Sequence, residues 1–229
     1  MTWCCFIFLA NLQDSPLPTL THPALDKVNI LQKTKEKDFL LHYPYQSYEP
    51  VVQFFEQAAK DPDVIEINII QYRVAKKSRI MNALIDAAKS GKKITAFVEV
   101  KARFDEEANL RWARRLENAG VKVLYSVPGL KVHSKLALVK KKTEQGIERY
   151  CYLSTGNFHE KNAKIYTDFS LFTCQPELTK EVAQVFEFIK CPYQKFVFNH
   201  LIVSPLNRRK SASFLKDLSR PGEDTSSLP

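Results

Sequence analysis

The sequence predicts an α/β fold, a mixed but mainly parallel sheet flanked by helices. Three observations carry that prediction. Apolar residues alternate between helical spacing and short β-branched runs. Strand and helix repeat three times. The links are short and carry breakers, Asp61-Pro62-Asp63, Ser90-Gly91 and Gly120.

Taken in order, residues 1–37 read as a lead-in, partly disordered, with Pro16, Pro18 and Pro23 and no clean period. The apolar first ten residues are too short to span a bilayer and lack the basic start of a secretory signal. Order is expected from about Asp38, opening a domain over 38–205. Residues 49–60 carry Val51, Val52, Phe55, Ala58 and Ala59 at helical spacing. A strand follows at 64–70, a helix at 80–88, a strand at 93–100, a helix at 105–119 and a strand at 121–125. Residues 131–139 and 148–154 read as a hairpin across 140–146. Then come a strand at 164–172, a helix at 177–189 and a short strand at 200–203. The polar tail, 206–229, is expected to be disordered.

A chain of 229 residues has room for one large domain with tails, and its net charge of +9 favours anionic partners. Five cysteines, irregularly spaced and without a C-x-x-C pair, argue against a zinc site or a disulfide frame. They fit a reducing, cytoplasmic compartment, with peripheral attachment to a membrane as the alternative.

The run Leu130-Lys131-Val132-His133-Ser134-Lys135 holds the main chemical signal. On a strand, His133 and Lys135 would share one face. An imidazole beside an ammonium suits attack on phosphorus, His133 as nucleophile and Lys135 neutralising the phosphoryl oxygens. Ser154-Thr155-Gly156-Asn157 ends the next strand with small hydroxyl and amide groups, a second phosphate-handling element. Arg73 and Arg103 stand at strand-to-helix junctions, where ligands gather in such sheets and where two guanidinium forks could converge on phosphate.

Tyr43-Pro44-Tyr45-Gln46-Ser47, Tyr72-Arg73, the run from Val100 through Arg103 to Asn109, Gly129 to Lys135 and Ser154 to Phe158 together resemble ATP-dependent bacterial polyphosphate kinase, in its first C-terminal, phospholipase D-like domain. The likeness runs from about Pro16 to about Arg209. It implies a phospholipase D-like fold and transfer of the terminal phosphate of ATP to inorganic polyphosphate through a phosphohistidine, with Mg2+. ATP/ADP and polyphosphate are then the partners, with no nucleic acid and no transmembrane segment, and homo-oligomerisation is left open. The matching histidine is His133. Positions tied to magnesium fall on Arg73 and Arg103, and a nucleotide-contacting tyrosine falls on Tyr166. Asn157 joins the phosphate-binding set. Arginine has no lone pair for a metal, so Arg73 and Arg103 read as clamps on the phosphates near Mg2+.

The family's N-terminal, head and second C-terminal domains have no counterpart here, so the chain reads as a fragment and its site as half of a composite one. Lys140 stands where a phospholipase D pattern wants aspartate, which weakens the first alternative, a phosphodiesterase or nuclease completed by dimerisation. The second alternative is a non-catalytic module that binds polyphosphate or nucleotide.

Overall fold

The computed structural model of the chain describes residues 17–99, 106–125, 132–204 and 206–207. Arg103, much of the glycine-containing run before His133, the first ten residues and the tail from Ser211 lie outside the described residues. The helices are α1 (Ile30–Glu36), α2 (Glu49–Lys60), α3 (Arg79–Lys89), α4 (Glu106–Asn118) and α5 (Pro176–Lys190). The strands are β1 (Phe39–Tyr43), β2 (Val64–Gln71), β3 (Lys93–Val98), β4 (Lys122–Tyr125), β5 (Lys135–Thr143), β6 (Gly146–Ser154) and β7 (Asp168–Thr173). They form one sheet in the order β1-β7-β6-β5-β2-β3-β4.

The sheet is mostly antiparallel, which overturns the expectation of a mainly parallel one. Only β2–β3 and β3–β4 run parallel, whereas β2–β5, β5–β6, β6–β7 and β7–β1 run antiparallel. A helical crossover makes parallel neighbours only when the next strand lies alongside. The crossovers through α3 and α4 do this. The one through α2 joins β1, at one edge, to β2 in the interior. Later the chain reverses three times without an α-helix among the described residues, between β4 and β5, at the Glu144-Gln145 turn, and between β6 and β7. Gly146 closes that turn at φ +123°, a conformation suited to glycine.

Smaller corrections have local causes. Helix α1 forms inside the lead-in, too short to display a period. Asn29 caps it, its Oδ1 accepting from Gln32 N at 2.9 Å, and Ile30, Leu31 and Thr34 are buried. The segment 200–203 is not a strand. The amides of Asn199, His200 and Leu201 donate to the Glu181 carboxylate at 2.6–3.1 Å instead of to a sheet edge. Burial pushes Glu181 up, but these amides hold its carboxyl below the usual range.

Each sheet face carries a core. Ile67, Ile69, Ala137, Val139 and Tyr152 point toward α2, α3 and α4, packing with Phe55, Leu84, Trp112 and Leu116. On the other face Ile70, Phe97, Leu138 and Cys151 meet α5 through Val182, Val185, Phe186 and Ile189, and Phe198 extends the cover. With both faces buried, side-chain chemistry open to a ligand is left to the loops at the strand ends.

Candidate functional site

One end of this sheet gathers the carboxyl ends of β1, β2 and β6 and the amino ends of β5 and β7, because β5 and β7 run opposite to the other three. Across it, Lys135 pairs with Ser154, Ser154 with Ser170, and Tyr43 with Asp168. The result is a cavity of about 320 Å³ whose lining includes Arg73, His133, Lys135, Asn157, Tyr166 and Asp168. Five of the six residues expected to act on the ligand thus meet in one place; Arg103 is the sixth.

Their local settings differ from the sequence reading in two respects. His133 is exposed and precedes β5, which begins at Lys135, so the two do not share a face by strand alternation. They meet because Lys135, 3% exposed, folds back. Its Nζ donates to the His133 carbonyl at 2.7 Å and lies 3.2 Å from both ring nitrogens. Equal distances to Nδ1 and Nε2 put the ammonium over the ring rather than in line with either lone pair. Tyr166 lies in the bend before β7 rather than on a strand, 58% exposed at the cavity wall.

Tyr72, buried at the end of β2, joins the cationic groups. Its ring meets that of His133 edge-on, with centroids 4.6 Å apart. Lys135 Nζ lies 5.3 Å and Arg73 Cζ 5.7 Å from the Tyr72 centroid. Burial pushes the Lys135 ammonium down to about 8; the Asp168 carboxylate opposes that shift and Arg73 adds to it.

The segment Ser154 to Asn157 supplies the opposite wall. Thr155 Oγ1 donates to Asp168 Oδ1 at 2.8 Å and accepts from Phe169 N at 3.0 Å. Ser154 Oγ accepts from Gly156 N at 3.0 Å. A Cβ on Gly156 would stand 2.7 Å from Asp168 Oδ2, so only glycine fits against that carboxylate. Asn157 Oδ1 is buried in the wall without a hydrogen-bond partner.

Asp168 and Tyr72 were not legible as site residues in the sequence. Reading 164–172 as antiparallel to 148–154 would have set Asp168 beside Thr155. The histidines outside the cavity have structural contacts. His22 Nδ1 accepts from Ala24 N, His159 Nδ1 accepts from Asn162 N, and His42 stacks on Phe169 at 4.3 Å. Lys140 pairs with Glu66 at 3.1 Å, at the far end of β5. A larger groove, about 840 Å³, runs between α2 and α3, but its Arg79 is already clamped by Glu49 and Glu56. The residues picked out for phosphate therefore gather on the smaller cavity.

Among the described residues no group of three histidine, cysteine or acidic side chains could hold a metal, and no helix is long and apolar enough to cross a membrane. Among the described residues the cavity wall has one carboxylate, Asp168, already bonded to Thr155. Such a set does not fit a resident Mg2+; its cations fit phosphate.

The family profile described as polyphosphate kinase C-terminal domain 1 matches residues 29–195. A polyphosphate kinase of Vibrio vulnificus (strain YJ016) is 49% identical over 207 residues, which are 90% of this chain and 30% of that protein. The crystal structure of polyphosphate kinase from Porphyromonas gingivalis superposes with a TM-score of 0.79 at 39% identity, over 92% of this chain and 35% of that one. A phospholipase D family member, Nuc from Salmonella typhimurium, superposes at 0.51 with 14% identity, over 66% of this chain and 91% of its own, a likeness of fold alone. The chain spans about 30% of the length of the curated relatives it matches.

Proposed function

The chain belongs to the polyphosphate kinase family, and on that premise we propose that its cavity is the phosphohistidine half of an ATP–polyphosphate phosphotransferase. A neutral ring nitrogen of His133 attacks the terminal phosphorus of ATP. The N–P bond forms as the P–O bond to ADP breaks. A terminal oxygen of polyphosphate then takes the phosphoryl group, and the N–P bond breaks. There is little covalent work for other side chains, so the task of the site is to position the phosphate and offset its charge. Lys135 and Arg73 do so from the cavity wall, and Arg103 is assigned the same role by the family resemblance. Asn157 can turn its amide to present Nδ2 to a phosphate oxygen, which would give the buried group a partner. Tyr166 offers an exposed ring to the nucleotide at the mouth. Mg2+ enters with the nucleotide as part of the substrate. Free thiols at Cys151, Cys174 and Cys191 support a reducing, cytoplasmic location.

The observation that carries this reading is the meeting of an exposed imidazole, a buried ammonium and a guanidinium on one small polar cavity. The test is incubation with γ-labelled Mg-ATP, in this chain and in a chain extended to the length of its relatives. Acid-labile, alkali-stable label is expected that is lost in His133→Ala and kept in His159→Ala. Label persisting in His133→Ala would overturn the assignment.

A further inference from the structure

We propose that Asn109, on α4 and outside the cavity, is a positioning residue that sets the geometry of the His133–Lys135–Arg73 group through Tyr72. It rests on the phosphotransferase reading only for the identity of the ligand.

Asn109 is 0% exposed, a polar side chain turned from a helix into the core. Such burial costs stability unless the group is hydrogen-bonded, so the contacts it makes are informative. Its Nδ2 uses both protons on backbone carbonyls of two different strand ends, Tyr72 O at 2.9 Å after β2 and Glu99 O at 3.1 Å after β3. Those ends are also tied directly, Glu99 N donating to Gln71 O at 3.2 Å. Three residues on, Trp112 Nε1 donates to Ala75 O at 2.9 Å, holding the far side of the loop that carries Arg73. Val132, next to His133, donates its N–H to Glu99 Oε2 at 3.4 Å. The face of α4 therefore brackets Tyr72 and Arg73 from behind, and Glu99 links the bracket to the approach of His133.

The side-chain type matters. One neutral nitrogen with two protons serves two carbonyls. Serine has a single proton to give, aspartate would set a carboxylate against two carbonyl oxygens, and leucine would leave both unpaired. Tyr72 is the relay because its ring touches His133, Lys135 and Arg73 together. A shift of its backbone moves three site groups at once.

The test uses the full chain with two readouts. The first is the NMR shift and pH titration of the His133 imidazole, which senses the ring current of Tyr72 and the charge of Lys135 without any ligand. The second is affinity for tripolyphosphate. Asn109→Ser is expected to keep the unfolding transition cooperative, move the His133 signals and weaken tripolyphosphate binding by about tenfold or more, since small misplacements of positioning groups have effects of that order. Trp112→Phe keeps an aromatic ring, loses the bond to Ala75 and leaves a small cavity in the core. It should move the same signals less, and it decides the matter if Asn109→Ser does not fold. His133 signals unchanged in the folded variants would overturn the proposal. Wild-type chain that ignores tripolyphosphate while the His133 signals still respond would count against the phosphotransferase reading and leave the bracket standing.

Discussion

At the far end of β5, Lys140 lies 3.1 Å from Glu66 and Lys141 lies 2.6 Å from Asp61; at the site end, Lys135 is buried and lines the cavity together with Arg73. The consequences run in opposite directions. The hydrogen bond to Asp61 raises the Lys141 ammonium above its usual range. Glu66 is pushed up by burial, but the Asn68 amide and Lys140 outweigh this and hold it below the usual carboxylate range. Lys135 is instead lowered to about 8, because burial strips its hydration and the Asp168 carboxylate does not make up for it. One strand thus uses its lysines for structure at one end and keeps a poorly compensated cation at the other, where an anion can complete the site.

The sharpest way to break this contrast is Lys135→Met. We expect tripolyphosphate affinity to fall roughly 10- to 100-fold, the scale of a lost charge-assisted hydrogen bond. Stability at pH 7 should hold or rise, because a folded-state pKa below the unfolded value means that charging this lysine opposes folding, by about 1.4 kcal/mol for each pH unit that separates the two values. The same sign carries two further pH effects. In wild-type chain, stability relative to Lys135→Met should rise between about 8 and the ordinary lysine range, where the unfolded chain binds the extra proton. Anion affinity should fall as pH rises through about 8, by up to about tenfold per pH unit, and stay flat in Lys135→Met. Isothermal titration and urea unfolding across pH check both. A loss of stability on removing Lys135 at pH 7 would erase the contrast.

Lys140→Met should reverse the pattern. Glu66, mostly buried, would keep Asn68 but lose its nearest cation. Urea unfolding should show a loss of about 1–3 kcal/mol, below the value for a fully buried pair because Lys140 is partly exposed. Tripolyphosphate affinity should be nearly unchanged.

Gly156→Ala tests whether the wall opposite Lys135 is as tightly fitted as the geometry says. The new Cβ has to displace the Asp168 carboxylate, costing about 1–3 kcal/mol by overpacking. A shift of the Lys135 ammonium titration should accompany it; thermal unfolding with NMR titration of Lys135 reads both. The smallest effect belongs to a surface pair. Lys33→Ala removes an exposed contact with Glu36 and should change stability by less than about 0.5 kcal/mol.

Local periodicity determined much of the molecule. The spacing of Val51, Val52, Phe55 and Ala58 makes α2, and the Ser90-Gly91 and Gly120 breakers end α3 and α4. His133, Lys135, Arg73 and the Ser154 to Asn157 segment were singled out by residue type and spacing, and the fold brings them to one cavity. The β5–β6 hairpin was legible too, but the direction of β5 against β2 and of β7 against its neighbours was not, because alternation of helix and strand gives the order of elements along the chain and leaves their neighbours in space open. It took the tertiary structure to set β5 antiparallel beside β2 and β7 antiparallel beside β6; the first places Tyr72 under His133 and the second Asp168 beside Thr155. Lys135 and Lys140 are the same residue on the same strand. Their different settings come from burial, which lowers the Lys135 ammonium, and from which carboxylates the fold brings near, Glu66 beside Lys140, long-range quantities that no local pattern encodes.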